Sequence, residues 1–485
     1  MRIPKRVYGI ENEFGVIHEK IDGTWEESRS SLINQCYAGN ARSVRCIVSP
    51  ARIWHPNGSC SYVDTGEHPE HATAECRSIK DAVLYAKAGE ILIASLFSRP
   101  LDDNSQLLLF KNNLGCDSEG YISGEYGCHE NYLYYTLDIK DKSTIKRFIP
   151  FLITRQIMDG AGWWMRDGTF LFSQRSICIM TETGGTTTNN RPLITLRDTT
   201  HDTGPTGRLH LIFGDANILD VACFLKLGTT SLVLSLLESG YAPAITYRNS
   251  IDTLKEIARD PDVSTLQDME LNGTHLSAYD VQVIYCTAAR SALREAEFDS
   301  PETEAEMWMV VDLWEKTLNA LYSGDEKWML GRLDYATKRF LAKREIMRKN
   351  ITIPSEMQDL RKDIDIFYHN ITNRDFQNRM NRQWHSRRLL DDRQIEKATL
   401  FPPQGTRAKL RGGFVASALN IENKANFSLD WTRCGDTSVI PRSGTFQMPD
   451  PFTHTSDEFN DFLLKFLNRP HKERNFFDVN RFEDT

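Results

Sequence analysis

Two acidic stretches near the N-terminus carry the residues best placed to do chemistry: Gly9-Ile-Glu-Asn-Glu-Phe-Gly15 and Tyr62-Val-Asp-Thr-Gly-Glu-His-Pro-Glu-His-Ala-Thr-Ala-Glu-Cys76. Glu11 and Glu13 are two apart, so on a strand they share a face. Tyr62 and Asp64 repeat that spacing, and Glu70 and Glu75 follow. Like charges held side by side need a cation or an arginine to offset them. Magnesium, a hard ion, takes oxygen ligands. The inventory suits a Mg²⁺–nucleotide site, where the ion bridges phosphate oxygens and a separate carboxylate orients or deprotonates the attacking group. A solvated acidic sheet face balanced by surface lysines, or a two-metal hydrolase, has the same spacing.

Basic residues come later. Arg191, Arg197 and Arg208 fall in one segment with His201 and His210, and Lys111, His129 and Glu130 precede them. An arginine can clamp a phosphoryl group or a carboxylate with two parallel hydrogen bonds, or serve as an ordinary salt-bridge partner. Cys128 and His129 are adjacent, and neighbours on a strand point to opposite faces, so the pair reads as structural. The histidines lack the His-Glu-x-x-His spacing of zinc hydrolases.

The elements that must position these residues read as α+β. Strands are expected over 5–16, 60–65, 71–76, 106–111, 130–136 and 209–213, and helices over 78–96 and 217–239, the latter closed by Gly240. Two long helices are expected within 282–321, and further helical segments over 325–348 and 360–370. Residues 31–36 and 41–49 read as short mixed segments, and the polar run 181–190 as an exposed loop. Long crossover helices do not follow each strand, which predicts an antiparallel or mixed sheet. Neither a Gly-x-Gly-x-x-Gly nor a Gly-x-x-x-x-Gly-Lys-Ser/Thr run is present, against a Rossmann or P-loop site. Phe401-Pro-Pro-Gln-Gly is a breaker cluster, so a small C-terminal domain over 401–485 is expected after a large domain over 1–400. In it, 407–419, a strand at 427–431 and a helix at 456–467 follow.

At 485 residues the chain can bury a large core, and 40% hydrophobic with 26% charged residues is a globular composition. The net charge of -8 lacks the basic footprint of a nucleic-acid binder. No apolar run expected to span a bilayer and no signal peptide are read at this stage, and ten scattered cysteines without a Cys-x-x-Cys pair predict free thiols and a cytoplasmic location.

These stretches resemble the Pup ligase and Pup deamidase/depupylase family, relatives of glutamine synthetase among the carboxylate–amine ligases. Besides the two acidic motifs, the resemblance rests on Phe110-Lys-Asn-Asn113, Tyr126-Gly-Cys-His-Glu-Asn-Tyr132, Arg191-Pro-Leu-Ile-Thr-Leu-Arg-Asp198 and Arg208-Leu-His-Leu-Ile-Phe-Gly-Asp-Ala-Asn217. Leu225-Lys-Leu-Gly-Thr229, Thr406-Arg-Ala-Lys-Leu-Arg-Gly412 and Leu429-Asp-Trp431 extend it over nearly the whole chain in order.

The resemblance implies a glutamine-synthetase-like curved antiparallel sheet packed by helices, cradling ATP and Mg²⁺, with the C-terminal domain contributing to the nucleotide site. It implies Glu11, Tyr62 and Glu70 as magnesium ligands, to which the strand spacing adds Glu13. Thr73 and Trp431 match nucleotide contacts and Asp64 the catalytic aspartate. Arg197, Arg208 and His210 are candidates for phosphate or carboxylate handling. One departure stands out: the arginine that the ligases place two residues before the tyrosine is Cys60 here.

The ligase branch fits better than the depupylase branch. Phe14 replaces the tyrosine of the depupylase motif, and the 53 positions from Glu11 to Asp64 leave no room for its inserted loop. The implied reaction joins the terminal glutamate side-chain carboxylate of a small disordered Pup-like modifier to lysines of target proteins through an acyl phosphate. A depupylase, a small-molecule carboxylate–amine ligase and a non-catalytic modifier-binding protein are the alternatives.

Overall fold

The computed structural model describes residues 1–20, 25–27, 31–34, 47–48, 52–64, 66–97, 105–116, 122–196, 206–260, 262–372, 374–419, 427–436 and 444–468. At its centre nine strands share one sheet: β1 (Tyr8–Glu13), β2 (Ile47–Val48), β3 (Arg52–Trp54), β4 (Cys60–Val63), β5 (Pro69–Ala72), β6 (Cys128–Tyr134), β7 (Thr181–Gly184), β8 (Pro192–Thr195) and β9 (Gly207–Leu211). They lie in the order β7-β8-β9-β6-β1-β5-β4-β3-β2. Every neighbouring pair is antiparallel except β7 with β8. This is the α+β architecture with a mixed, mainly antiparallel sheet that the element pattern predicts.

Alternation along β1 separates the two faces. Tyr8, Ile10 and Asn12 are buried, while Glu11 and Glu13 are partly open. The buried face lies under α1 (Ile79–Phe97), which crosses behind β1 and β5, and α2 (Asp220–Glu238), which lies behind β6. Ile10, Tyr132 and Leu211 from the strands and Val83, Phe224 and Leu232 from these helices belong to one large apolar core. Helix α2 is long and apolar enough to cross a membrane, contrary to the expectation of no such run, but 94% of its most apolar 18-residue window is buried inside the protein. Its polar groups are satisfied within that core: Thr229 and Thr230 donate to carbonyls one turn back, at 2.8 Å each, and Lys226 Nζ donates to the Asp215 carbonyl at 2.5 Å.

Two elements depart from the expected boundaries. The segment 5–16 is not one strand: the chain leaves the main sheet at Phe14 and continues as Gly15–Glu19 in a second sheet with Gln106–Phe110. The Phe14 side chain, 1% exposed, is the anchor at that corner. The polar run at 181–190 begins as strand β7, because a threonine-rich segment at a sheet edge needs no apolar alternation to pair. Residues 35–36, 41–46 and 49 of the short mixed segments lie outside the described residues.

After residue 400 come α3 (Ala408–Ala418), a three-stranded sheet of Phe427–Leu429, Arg433–Asp436 and Thr445–Gln447, and α4 (Asp457–Leu467). Phe414, Phe459 and Phe466 form an apolar cluster that also takes in Trp54 and Cys60. The C-terminal segment is therefore packed onto the β3–β4 hairpin.

Behind that hairpin, Ser61 Oγ lies 2.8 Å from both His55 Nε2 and His71 Nδ1, all three residues being buried. Gly89 of α1 lets the helix approach this chain, since a Cβ there would lie 2.3 Å from His71 Cδ2. Gly89→Ala should therefore lower stability by about 1–3 kcal/mol through overpacking. An unchanged urea-denaturation midpoint would show that the contact yields freely.

Candidate active site

The open face of the sheet gathers the sequence-predicted residues into cross-strand rows. Strand register sets Glu13 opposite Glu70, Glu70 opposite Tyr62, and Tyr62 opposite Arg52. In the next row His129 faces Glu11, which faces Ala72, then Cys60 and Trp54. A third row runs Gly9, Asn131, His210, Thr195. Residues paired across neighbouring strands lie on one face, so five strands, β1, β4, β5, β6 and β9, present carboxylates, phenol and imidazoles to a common space.

The contacts are specific. Tyr62 O–H donates to Glu70 Oε1 at 2.7 Å. Glu11 Oε2 lies 3.3 Å from His129 Nδ1 and 3.8 Å from His210 Nε2, while Asn131 Nδ2 donates to its Oε1 at 3.2 Å. Arg208 donates to Asn131 Oδ1 at 3.0 Å and stands 3.9 Å from Glu11. Glu13 accepts the Gly127 amide at 2.7 Å and lies 3.5 Å from His68 Nδ1. Asp64 accepts the His68 amide at 2.7 Å, and its Oδ2 is 3.9 Å from the same ring. The turn that holds Asp64 is tight: its amide donates to the His68 carbonyl at 2.9 Å, and Glu67 takes a φ of 64°, a costly conformation for a residue with a side chain.

Charge sorts these groups into distinct states. Burial alone would raise Glu11, but the His129 hydrogen bond and the nearby His210 and Arg208 charges outweigh it and hold its carboxyl well below the usual range. Glu13 is likewise brought down to about 2, against burial, by His68, His129, Arg175 and the Gly127 amide. Glu70 goes the other way: burial, then the charges of Glu11 and Glu13, push it well above an ordinary carboxyl. Burial and the Glu13 charge also raise half-buried Asp64. Burial followed by Glu70 and Glu11 raises the Tyr62 phenol, so it stays protonated at neutral pH.

One atom each from Glu11, His129 and His210 lie within 4.8 Å of one another, as do atoms of Glu13, Asp64 and His68. Carboxyls crowded on one face in this way suit a hard divalent cation, which would offset the repulsion from Glu11 and Glu13 that raises Glu70.

Next to this cluster opens a slot lined by Gly9, Thr73, Asn131, Arg208 and Trp431. Thr73 Oγ1 accepts the Ile10 amide at 3.0 Å, which fixes its side chain. The Trp431 ring meets Trp54 edge-on at 5.1 Å, and the Arg411 guanidinium lies 4.7 Å from its centre. Arg411 also donates to the Trp431 carbonyl at 3.0 Å and the Gly58 carbonyl at 2.9 Å, and it pairs with Glu75. Arg407 pairs with the same carboxylate at 2.9 Å. Burial would raise Glu75; the two guanidinium groups overcome it and bring its carboxyl down to about 2.

Glu11, Glu13, Tyr62, Asp64, Glu70, Thr73, Arg208, His210 and Trp431 are therefore brought to one face or its adjoining slot, with His210 beside Glu11 and His129. Arg197 and His201 lie outside the described residues. Glu75 is taken up by two arginines instead of joining the acidic set. Arg191 pairs with Glu125, and Lys111 is buried behind the sheet with Glu90 at 2.7 Å. Cys128 and His129 do face opposite ways: Cys128 lies 3.5 Å from Lys226 in the core. Sequence reasoning gave no role to Asn131, Arg407, Arg411 or His68. The alternation of Cys128-His-Glu-Asn131 on a strand would have placed Asn131 on the face of His129, and His68 sits inside the second acidic motif.

A sheet face that gathers acidic groups beside an aromatic-walled slot has the make-up of a ligand-binding site. Comparison with known proteins narrows that class. The family model described as Pup-ligase protein matches residues 6–435. The chain is 32% identical over 480 residues to the Pup–protein ligase of Corynebacterium diphtheriae, covering 96% of this chain and 95% of that protein. It is 34% identical over 478 residues to that of Pseudarthrobacter chlorophenolicus, covering 95% and 99%. Its structure is similar to that of the ligase PafA in complex with the prokaryotic ubiquitin-like protein Pup, with a TM-score of 0.82 and 29% identity over 95% of this chain and 92% of the other. It is also similar to PafA in complex with ADP, with a TM-score of 0.75 and 30% identity over 90% and 93%. The chain belongs to the Pup-ligase family.

If a divalent ion neutralises this cluster, it competes with the proton on Glu70. We predict that Mg²⁺ raises the melting temperature more at about pH 8 than at about pH 5. Equal shifts at both values in a thermal melt would argue against the cluster as the ion's site.

Proposed function

We propose that the protein is an ATP- and Mg²⁺-dependent ligase that joins the terminal glutamate side-chain carboxylate of a Pup modifier to lysines of target proteins. Family membership supports the reaction class. The observation that carries the reading to particular residues is Asp64 gathered with Glu13 and His68, one atom of each within 4.8 Å of the others, two positions past Tyr62 at the end of β4.

In this reading Glu11, Glu13, Glu70 and Tyr62 hold Mg²⁺, which when bound would neutralise the triphosphate and the transferring phosphoryl group. Tyr62 serves as a neutral oxygen ligand, with its proton directed at Glu70. Thr73 and Trp431 position the nucleotide in the slot, and Trp431 offers a broad apolar face to the base. Arg208, set by Asn131, and Arg197 orient the modifier carboxylate or the γ-phosphate. The γ-phosphoryl group passes to a carboxylate oxygen, and ADP departs. Asp64 then takes a proton from the target lysine ammonium. The freed amine attacks the acyl carbon, and as the isopeptide bond forms the leaving phosphate carries off the second proton of the nitrogen. A lysine has an ordinary pKa near 10.4, so a base must supply the uncharged amine at neutral pH. The raised affinity of Asp64 for a proton suits it to that task.

We further propose that residues 1–400 form the catalytic domain and that 401–485 form a smaller unit whose contribution is Trp431 and its arginine supports. A cytoplasmic location fits the seven free, buried cysteines among the described residues.

Asp64→Asn should retain nucleotide binding within about twofold and lose conjugation by roughly a hundredfold or more, within the range of general-base contributions. Gel-resolved conjugate formation and calorimetric ADP binding measure the two effects separately. Undiminished conjugation would remove Asp64 from the chemistry.

A further inference from the structure

Arg52 ends the row that begins at Glu13. Its register partner is Tyr62, and its guanidinium carbon lies 4.6 Å from the centre of that phenol ring. Through Tyr62 and Glu70 it belongs to the same face as the acidic cluster, and it is only half buried. An arginine stacked on an aromatic ring has its plane fixed while its N–H edge remains available to an anion.

The neighbouring strand supplies no such charge. Cys60 occupies the position on β4 that points with Tyr62 and Asp64. It is fully buried among Trp54, Leu410 and Phe414. A thiol carries no positive charge in either protonation state, so it offers an anion nothing. Arg411 cannot serve either, because Glu75, the Gly58 carbonyl and the Trp431 carbonyl engage its guanidinium. Arg407 is held by Glu75 and the carbonyls of Met448 and Pro449. Arg208 lies across the face, with Asn131 and Glu11. Arg52 is thus the arginine on the β3–β4 side of the face whose described contacts, the Tyr62 ring and the Cys60 thiol, include no carboxylate.

We infer that Arg52 is the cationic clamp for the nucleotide polyphosphate on the β4 side of the site, delivered from the adjacent strand β3 and aimed by stacking on Tyr62. This deepens the ligase reading and rests on it. The clamp joins the phosphates to the tyrosine of the acidic row: moving the phenol moves the guanidinium.

The test is calorimetric binding of Mg–ADP and of a non-hydrolysable ATP analogue to the full chain, with modifier KM measured alongside. Loss of one charge-assisted phosphate contact should weaken the analogue by roughly tenfold to a hundredfold in Arg52→Gln. Arg52→Lys should recover part of that loss, because it keeps the charge without the fork. Modifier KM should stay within about twofold, which separates a phosphate contact from a general disturbance of the sheet. Tyr62→Phe keeps the ring and should keep the Arg52 contribution, read as a further loss on adding Arg52→Gln. Equal analogue binding by the parent and Arg52→Gln overturns the inference alone. Absence of nucleotide binding by the parent overturns the ligase reading and this inference with it. A loss of affinity in Arg52→Lys as large as in Arg52→Gln, with modifier KM raised to match, also overturns it.

Discussion

Repulsion among four carboxylates on one sheet face is the constraint from which the rest follows. Glu11, Glu13, Asp64 and Glu70 cannot all be ionised at close range without compensation. The fold answers with imidazoles, amides and arginines around Glu11 and Glu13, and leaves Glu70 and Asp64 underserved. The unequal treatment creates the functional division. The two low-pKa groups give a fixed negative field, Glu70 is left wanting a cation, and Asp64 is left with a taste for protons.

The scaffold exists to hold that imbalance steady. Antiparallel register fixes which side chains face one another to within the pleat, and a slip of one residue would send the acids to the buried side. Behind the sheet, the apolar core and helix α2 lock the strands, and several of the protein's buried charges are paired. Arg155 Nη1 donates to Glu130 at 3.0 Å, and Lys338 meets Asp365 at 3.0 Å. Such pairs contribute little net stability once desolvation is counted, but breaking one strands a charge in the interior. The face in front can therefore carry unfavourable charge because the face behind tolerates no rearrangement.

Much of this was legible in the chain. Period-two spacing put Glu11 with Glu13 and Tyr62 with Asp64, and the central strands and the long helices followed from alternation and apolar runs. What stayed hidden depends on tertiary partners. Nothing in the spacing reveals that Glu75 turns away to two arginines 332 and 336 positions on, or that Arg191 is spent on Glu125. The polar start of the 181–190 run looked like a loop because an edge strand needs only one partner. The apolarity of α2 was diluted by threonines and a lysine whose bonds inside the core cannot be guessed from hydropathy. Only the family resemblance proposes Thr73 and Trp431 as nucleotide contacts; composition alone does not single them out.

The double pairing at Glu75 ties evolution of the two halves together. Its carboxylate follows strand β5, while both guanidinium groups come from α3 and its leading turn, more than 330 positions further on. Drift at Glu75 would strand two cations against the tryptophan that walls the slot, and drift in α3 would strand an anion under the sheet. Neither half can wander alone, so a C-terminal segment grafted from a relative will function only if it arrives with arginines at both positions.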